Sequence, residues 1–188
     1  MSLNNIEEIS FCIHQDAPKI HCLTNPVTMQ DVANLLLAAG GSAVMGQDKQ
    51  EVEEITSFCH GTLLNTGVPD IAKYRPASLP DRRQMSLATR SSWIRSRRCR
   101  HISKKRAAKL LQAVHPTAVR CNQEEAVVLC SLLSDTDSPE KHGGVESSLQ
   151  MAERDVCLIA GQAASLLNCT VLITGKEDVV SDGKQTQI

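Results

Sequence analysis

Polar residues that could bind a ligand follow the strand-like runs of this sequence. They include hydroxyl, amide, guanidinium and carboxylate groups, which together supply hydrogen-bond donors, acceptors and both signs of charge. In a parallel α/β sheet, ligands bind outside the carboxyl ends of the strands. The candidates for such a site are Thr24 with Asn25, Met45, Asn65 to Gly67, Arg120 with Asn122 and Glu125, and Thr174 with Gly175.

Each candidate also has a purely structural interpretation. Residues 65–67 and 174–175 fit ordinary turns. Asn122 and Glu125 fit a helix cap, and Met45 fits core packing. A binding site is favoured only because all of these residues are predicted at one edge of a sheet.

Strand-like and helical segments alternate along the chain. The runs KIHCLTN, SAVMG, TLLNTG, TAVRCN and CTVLITG are typical of short buried strands, and TMQDVANLLLAAGG, QEVEEITSFCHG and NQEEAVVLCSLL are typical of helices. A long helix is predicted over residues 147–168, and a hairpin follows with Asp182-Gly183 at its turn. The alternation predicts one α/β domain over residues 1–188, with a mostly parallel sheet flanked by helices.

The composition narrows the function classes. A length of 188 residues fits one domain, and an apolar content of 41% with only 2% aromatics predicts an aliphatic core. No run is long enough to span a membrane, and the start, MSLNNIEEIS, does not resemble a signal peptide. The eight cysteines lack CxxC spacing, which disfavours a zinc site and favours a reducing cytoplasm.

One stretch, residues 71–106, differs from the rest. It holds nine of the eleven arginines and twelve basic residues against one acid, Asp81. Its formal charge is therefore about +11, while the remaining residues sum to about −12 because the whole chain carries −1. The acidic remainder argues against nucleic acid as a general partner, although a basic patch alone would suggest one.

Translation in the wrong reading frame is a second explanation of this stretch. Back-translation of residues 83–96 with a shift of one nucleotide upstream permits ANELG(H/N)PVVLDPV, which reads as a helix end and a buried strand. Its Asp is forced, because the only Trp93 codon ends in G and every Ile94 codon begins with AT. The frame would recover between residues 96 and 105. We therefore expect residues 71–103 to be irregular, exposed or poorly packed.

The chain resembles hydroxyethylthiazole kinase, a thiamine-salvage family of the ribokinase superfamily. The resemblance runs in order from about residue 21 to 183 through HCLTNPVTMQDVANLLLAAGGSAVM, EVEEI, LLNTGVP, HPTAVRCNQEE and VLITGKEDVVSDG. The shifted-frame peptide resembles the central segment of the same family and falls at the corresponding place. The TNPVTMQDVAN block is fairly specific, whereas TG after a strand is not.

The resemblance implies a three-layer ribokinase-like fold and ATP-dependent phosphorylation of the hydroxyl of 4-methyl-5-(2-hydroxyethyl)thiazole, with Mg²⁺, in thiamine biosynthesis and salvage. It also implies a cytoplasmic homotrimer with its sites between subunits. Asn25 and Met45 would line the thiazole pocket. Arg120 would pair with the ATP phosphates and Thr174 would touch the nucleotide. Glu125 would help to hold Mg²⁺ through water.

Two segments of the family's pattern are missing from this sequence, and their absence bears on the activity expected of the chain. The acidic DPVG segment is absent from this reading frame, and the glycine-rich loop with the catalytic Cys does not occur before Ile188. We therefore expect a fold that is incomplete at the carboxyl end, no catalytic residue in this chain, and little activity. Two other interpretations stay open: another small-molecule kinase of the ribokinase superfamily, or a non-enzymatic protein whose basic arm binds RNA or acidic partners.

Overall fold

A mostly parallel sheet forms the centre of the protein. The computed structural model describes residues 3–46, 48, 50–65, 85–88, 108, 110–134 and 151–188. Within these ranges one sheet has the strand order β2-β1-β3-β4-β5-β6-β7-β8. Its strands are β1 Lys19–Leu23, β2 Ser42–Val44, β3 Gly61–Leu64, β4 Met85–Ala88, β5 Ala118–Asn122, β6 Thr170–Thr174, β7 Val179–Ser181 and β8 Thr186–Gln187. Strands β1 to β6 pair in parallel, and β7 and β8 extend the sheet antiparallel.

Five labelled helices accompany the sheet in the described part of the chain. They are α1 Leu3–Asp16, α2 Pro26–Ala38, α3 Val52–Phe58, α4 Gln123–Leu133 and α5 Glu153–Leu167, and residues 110–114 are helical as well. Helix α2 ends just before Gly40, whose φ of +89° is the left-handed conformation that glycine adopts without strain. The predicted α/β architecture with a mostly parallel sheet is confirmed.

The order of the strands decides which helix covers which face. From β1 the chain moves to the sheet edge at β2, and from β2 it moves back past β1 to β3. These two crossovers run in opposite directions across the sheet. Because parallel crossovers are right-handed, α2 and α3 must lie on opposite faces of the sheet. The steps from β3 to β6 continue in the direction of the second crossover, which places α4 and α5 on the α3 face. We call this α3–α5 side the first face and the α2 side the second face.

The two faces differ in how well they are covered. First-face residues of four strands, Leu23, Leu64, Val119 and Val171, are at most 1% exposed and share one core with the helices. On the second face, Leu63, Arg120 and Leu172 are only half-buried. Parallel sheets are normally covered on both faces. The first face is therefore the main core, and the second face is the more accessible one.

Four residues of the basic stretch form a regular strand, contrary to the expectation from the sequence. Residues 71–103 were expected to be irregular, but Met85–Ala88 form β4, a central strand paired with β3 and β5. The expectation is wrong for these four residues. Met-Ser-Leu-Ala contains neither Pro nor Gly nor charge, so its backbone can satisfy the hydrogen-bonding groups that β3 and β5 would otherwise leave unpaired. The rest of 71–103, including the shifted-frame strand at 90–96, lies outside the described residues.

The carboxyl-terminal elements follow the sequence prediction with one change. Helix α5 begins at Glu153, whereas a start near residue 147 was predicted. Met151 and Ala152 are not helical, and Ala152 takes the extended conformation of a cap residue, with ψ of 143°. The hairpin is confirmed: Gly183 has φ of +86°, and Asp182 Oδ1 accepts hydrogen bonds from the Lys184 and Gln185 amides. None of the described helices is long and apolar enough to cross a bilayer.

Candidate functional site

All five predicted site residues lie toward the carboxyl edge of the parallel strands. Asn25 follows β1 by two residues, and Met45 follows β2 directly. Arg120 lies within β5, Glu125 in the first turn of α4, and Thr174 at the end of β6. Because β1 to β6 run in one direction, these positions share one edge of the sheet.

Asn25 begins helix α2. Its Oδ1 accepts a hydrogen bond from the Thr28 amide at 2.9 Å, and Pro26 occupies the first helical position, where a missing amide hydrogen does no harm. The residue is 7% exposed. Its capping role therefore fixes the position of Asn25 at the edge whether or not it also contacts a ligand.

A buried hydroxyl–amide cluster connects the ends of β1 and β3. Asn65 Nδ2 donates to Thr24 Oγ1 at 3.1 Å, and the Thr24 and Thr28 hydroxyl oxygens lie 2.8 Å apart. Strand β1 is also where the direction of the connections reverses, and its carboxyl end lies beside that of β3. Such switch points are where open α/β sheets bind ligands. The cluster and Asn25 thus lie where this topology predicts a pocket.

Arg120 and Thr174 project from the same face of neighbouring strands. Arg120 pairs in register with Leu172, and Asn122 pairs with Thr174, so both candidates belong to the second face. One strand spacing and a two-residue offset place their Cα atoms roughly 8 Å apart. The Thr174 hydroxyl donates to the Cys121 carbonyl at 3.4 Å. A guanidinium and a hydroxyl are therefore brought together on the accessible face.

The next turn after Thr174 approaches helix α4 closely. The Gly175 amide donates to Asp178 Oδ1 at 3.1 Å. A Cβ added at Gly175 would lie 2.7 Å from Gln123 Nε2, so a larger residue would push Gln123 aside. The backbone of this turn is thus packed against the start of α4.

Glu125 and Asn122 form a capping box at the start of α4. Asn122 Oδ1 accepts from the Glu125 amide at 2.8 Å, and Glu125 Oε2 accepts from the Asn122 amide at 2.9 Å. Asn122 and Glu125 therefore cap the helix, as their structural interpretation predicted. The carboxylate is held beside the β5 edge by the same bond, so capping and ligand binding do not exclude each other.

The five residues form two groups that are separated along the edge. Asn25 and Met45 follow β1 and β2, whereas Arg120, Glu125 and Thr174 belong to β5, α4 and β6. At the usual spacing of neighbouring strands, about 14 Å separates β1 from β5, and about 19 Å separates β2 from β5. The fold brings the nucleotide candidates together and brings the thiazole candidates together, but it does not join the two groups within one chain.

Four of the buried cysteines do not offer a nucleophile. Burial raises the pKa of the Cys22, Cys130 and Cys169 thiols to about 11 and raises that of Cys121 further. Since the thiolate is the reactive form, these groups are inert near neutral pH. Among the described residues no three His, Cys, Asp or Glu side chains cluster in a way that could hold a metal ion by themselves.

Buried residues near Met45 were not predicted from the sequence. His21, on the first face of β1, is fully buried, and its ring nitrogens lie 2.8 Å from Thr56 Oγ1 and 2.6 Å from the Gly46 carbonyl oxygen. Thr62, its register partner on β3, is fully buried too. The available signal was a histidine inside the run IHCL, whose other residues are apolar.

Comparisons with known proteins agree with this architecture. A hydroxyethylthiazole kinase of Clostridium botulinum strain Eklund 17B is 32% identical over 180 residues, covering 91% of this chain and 61% of that protein. One from Alkaliphilus oremlandii is 31% identical, covering 93% of this chain and 62% of its own length. This chain thus spans about three fifths of the length of these relatives.

A solved structure of hydroxyethylthiazole kinase protein from Pyrococcus horikoshii OT3 superposes with a TM-score of 0.74 at 22% identity, covering 98% of this chain and 66% of that one. At this identity the likeness concerns the fold. The model of the hydroxyethylthiazole kinase family matches residues 11–188. On that match and on the relatives, the chain belongs to the hydroxyethylthiazole kinase family.

Proposed function

We propose that this chain carries the site of an ATP-dependent kinase that phosphorylates the hydroxyl of 4-methyl-5-(2-hydroxyethyl)thiazole in thiamine biosynthesis and salvage. The observation that carries the proposal is the family match together with Arg120 and Thr174 on one accessible face at the carboxyl edge. The relatives are named for this reaction. The seven described cysteines carry free thiols, which supports a reducing cytoplasm as the location.

Arg120, Thr174 and Glu125 form the nucleotide side of the proposed site. The planar guanidinium of Arg120 suits bidentate contact with a phosphate. Thr174 lies diagonally across from it and offers a hydroxyl. Mg²⁺ is commonly held by one or two carboxylates, waters and substrate phosphates. Glu125 fits that pattern, because its carboxylate is fixed at the β5 edge and can reach a metal through water.

Asn25 and Met45 form the thiazole side of the proposed site. Met45 is half-buried, and its unbranched, polarizable side chain suits contact with a small sulfur heterocycle. Asn25 is held at the switch point beside the Thr24–Asn65 cluster. An apolar contact and fixed polar groups together resemble the lining of small-molecule pockets in general.

The separation of the two groups supports a site shared between subunits. A thiazole alcohol is shorter than the gap of about 14–19 Å between β1 or β2 and β5, so one chain cannot place both groups around the reacting hydroxyl. Helix α2, which adjoins the thiazole side, has no buried residue, and Val27, Leu35 and Leu37 are 86%, 72% and 60% exposed. Exposed apolar faces of this kind mark protein interfaces. We propose the homotrimer that the family resemblance implies.

The nucleotide side is tested by ATP binding to the purified 188-residue protein in the presence of Mg²⁺. Arg120→Gln is expected to weaken ATP about 10- to 100-fold, because a hydrogen bond to a charged group contributes about 1.5–3 kcal/mol. Arg120→Lys keeps the charge but loses the planar guanidinium. Its ATP affinity should lie between those of wild type and Arg120→Gln. Arg154→Gln, an exposed arginine on α5, is the matched control. Equal ATP affinity in Arg120→Gln and the control would refute the proposed nucleotide side.

The expectation that this chain alone has little activity stays a prediction. Sequencing the gene across codons 68–106 tests the frame-slip hypothesis directly. Thiazole phosphorylation is then measured for this chain and for a frame-corrected version that also carries the family's glycine-rich loop with its Cys, with folding checked by circular dichroism. We expect activity only in the restored form. Robust turnover by this chain would mean that the reaction needs neither the DPV segment nor the glycine-rich loop, and that the catalytic centre has been placed wrongly.

A further inference from the structure

His21 lies in the middle of β1, the second strand of the sheet, below the edge that carries Asn25 and Met45. Its register partners are Val44 on β2 and Thr62 on β3, so its side chain belongs to the first face. The residue is 0% exposed. A buried imidazole has to be matched by hydrogen bonds, since an aliphatic side chain of similar size would pack there without that requirement.

The neighbours of His21 determine its protonation. Nε2 lies 2.6 Å from the Gly46 carbonyl oxygen, which can only accept, so this nitrogen carries a hydrogen and donates. Nδ1 lies 2.8 Å from the Thr56 hydroxyl. Burial lowers the pKa of His21, so the ring is neutral near pH 7. The Thr56 hydroxyl also donates to the Val52 carbonyl, so its single hydrogen lies between that oxygen and Nδ1 of His21. The directional bond to Gly46 is therefore present in the form of the protein that works at neutral pH.

Gly46 is held from two sides. Its carbonyl accepts from His21, and a Cβ added to it would collide with Ile55 Cδ1 of helix α3. Ile55 precedes Thr56, the residue that contacts the other ring nitrogen. His21 thus joins three pieces of the chain: strand β1, the first turns of α3 and the backbone that follows β2. The residue before Gly46 is Met45.

We propose that His21 is a positioning residue, whose bond to the Gly46 carbonyl fixes the backbone of Met45 at the thiazole side of the site. The substrate part of this inference rests on the proposed function. The positioning part is a property of the chain and does not depend on it. A satisfied buried polar network of this kind selects one arrangement of its neighbours, which apolar packing does less strictly.

Two amide variants separate positioning from simple stability. His21→Gln retains a donor that reaches about as far as Nε2 and should keep the bond to Gly46. His21→Asn is one methylene shorter, so it keeps a polar contact near Thr56 but cannot reach Gly46. His21→Leu removes both bonds at similar volume, and it serves if the Asn variant does not fold. His60→Gln, at the opposite edge and exposed, is the control.

The direct readout is the methyl signal of Met45 in protein labelled at the methionine methyl carbons. Only five methionines are present, and Met45→Leu identifies the signal by its absence. We expect the signal to move or broaden in His21→Asn and His21→Leu, and to stay in place in His21→Gln and His60→Gln. An unmoved signal in both the Asn and Leu variants, or an equal displacement in His21→Gln, would overturn the positioning role.

The second readout is the affinity of the same proteins for 4-methyl-5-(2-hydroxyethyl)thiazole. We expect the dissociation constant to rise about tenfold in His21→Asn and to stay near the wild-type value in His21→Gln, with ATP affinity unchanged in both. If wild type binds no thiazole but the Met45 signal responds as expected, the proposed substrate is wrong and the positioning role stands. If wild type binds thiazole and His21→Asn binds it equally well, the inference is wrong and the proposed function stands.

Discussion

Substitution of Glu125 can separate its observed role as a helix cap from its proposed role at the metal. The carboxylate accepts the Asn122 amide at 2.9 Å, while the return bond uses the Glu125 backbone and survives any change of side chain. Glu125→Ala removes the acceptor and the charge, whereas Glu125→Gln keeps an acceptor oxygen and removes only the charge. Glu124→Gln removes the same charge from the same turn and serves as the control.

The magnitudes follow from these contacts. Loss of one hydrogen bond to a charged acceptor, with the favourable charge at a helix start, gives about 1–2 kcal/mol of destabilisation in Glu125→Ala. For a chain of this size that lowers the melting temperature by about 2–6 °C. Glu125→Gln should lose only the charge–dipole part, about 0.5 kcal/mol. A lost water-mediated contact to Mg²⁺ should weaken ATP about 5- to 30-fold, and only when Mg²⁺ is present.

The assay combines thermal unfolding with ATP titrations in Mg²⁺ and in EDTA. We expect Glu125→Ala to lose both stability and the effect of Mg²⁺, and Glu125→Gln to lose mainly the effect of Mg²⁺. Glu124→Gln should keep both. If Glu125→Gln retains the full effect of Mg²⁺, Glu125 is a cap and nothing more. If Glu125→Gln is as unstable as Glu125→Ala, the capping argument is refuted as well.

Three further predictions follow from the same structure. The Thr62 hydroxyl is buried without a hydrogen-bond partner, so Thr62→Val should stabilise the protein by about 1 kcal/mol in urea unfolding, while Thr56→Val, whose hydroxyl is bonded, should destabilise it. Burial lowers the pKa of His21 from 6.5, so its contribution to the free energy of unfolding is complete above about pH 6.5 and falls as the pH drops toward the folded-state pKa. Urea unfolding of His21→Gln at several pH values should lack this pH dependence. In sedimentation velocity, Leu35→Glu on α2 should reduce self-association, whereas Leu158→Glu, similarly exposed on α5, should not.

Local signals predicted the elements whose shape depends on their own residues. The Asn122–Glu125 spacing predicted a capped helix, and both bonds of the box are present. Asp182-Gly183 predicted the hairpin, since Gly183 takes the positive φ that the turn requires, and backbone hydrogen bonds from Gln185 and Lys184 lower the pKa of Asp182. These features depend on contacts between residues at most four positions apart, so the residue types and their spacing in the sequence are enough to predict them.

Features that depend on distant partners were not predictable in the same way. The spacing of Val52, Ile55 and Phe58 is that of one helix face, but Phe58 is 52% exposed at the end of the two-turn helix α3, with Lys19 Nζ 5.8 Å from its ring centroid. Strand β4 has no strong local signal, and its pairing with β3 and β5 defines it. The burial of His21 depends on Thr56 and Gly46, which follow it by more than twenty residues.

The strand order explains why the candidate site could be found in parts but not assembled from the sequence. Chain order suggests a progression from Asn25 to Thr174, yet β1 lies between β2 and β3, and only β3 leads on to β4, β5 and β6. This reversal makes the end of β1, beside Asn25, a topological switch point, and it also moves Met45 to the side of the sheet away from Arg120. The same topology therefore predicts where each half of the proposed site lies, and it is the basis of the proposal that a second copy of the chain brings the halves together. A mixed oligomer makes this proposal testable. A chain altered at Arg120 and a chain altered at Met45, inactive separately, should regain a share of activity when combined in the frame-corrected protein that carries the glycine-rich loop. Failure of the combined chains to recover activity, in a trimer shown to mix its subunits, would place the whole site within one chain and refute the shared arrangement.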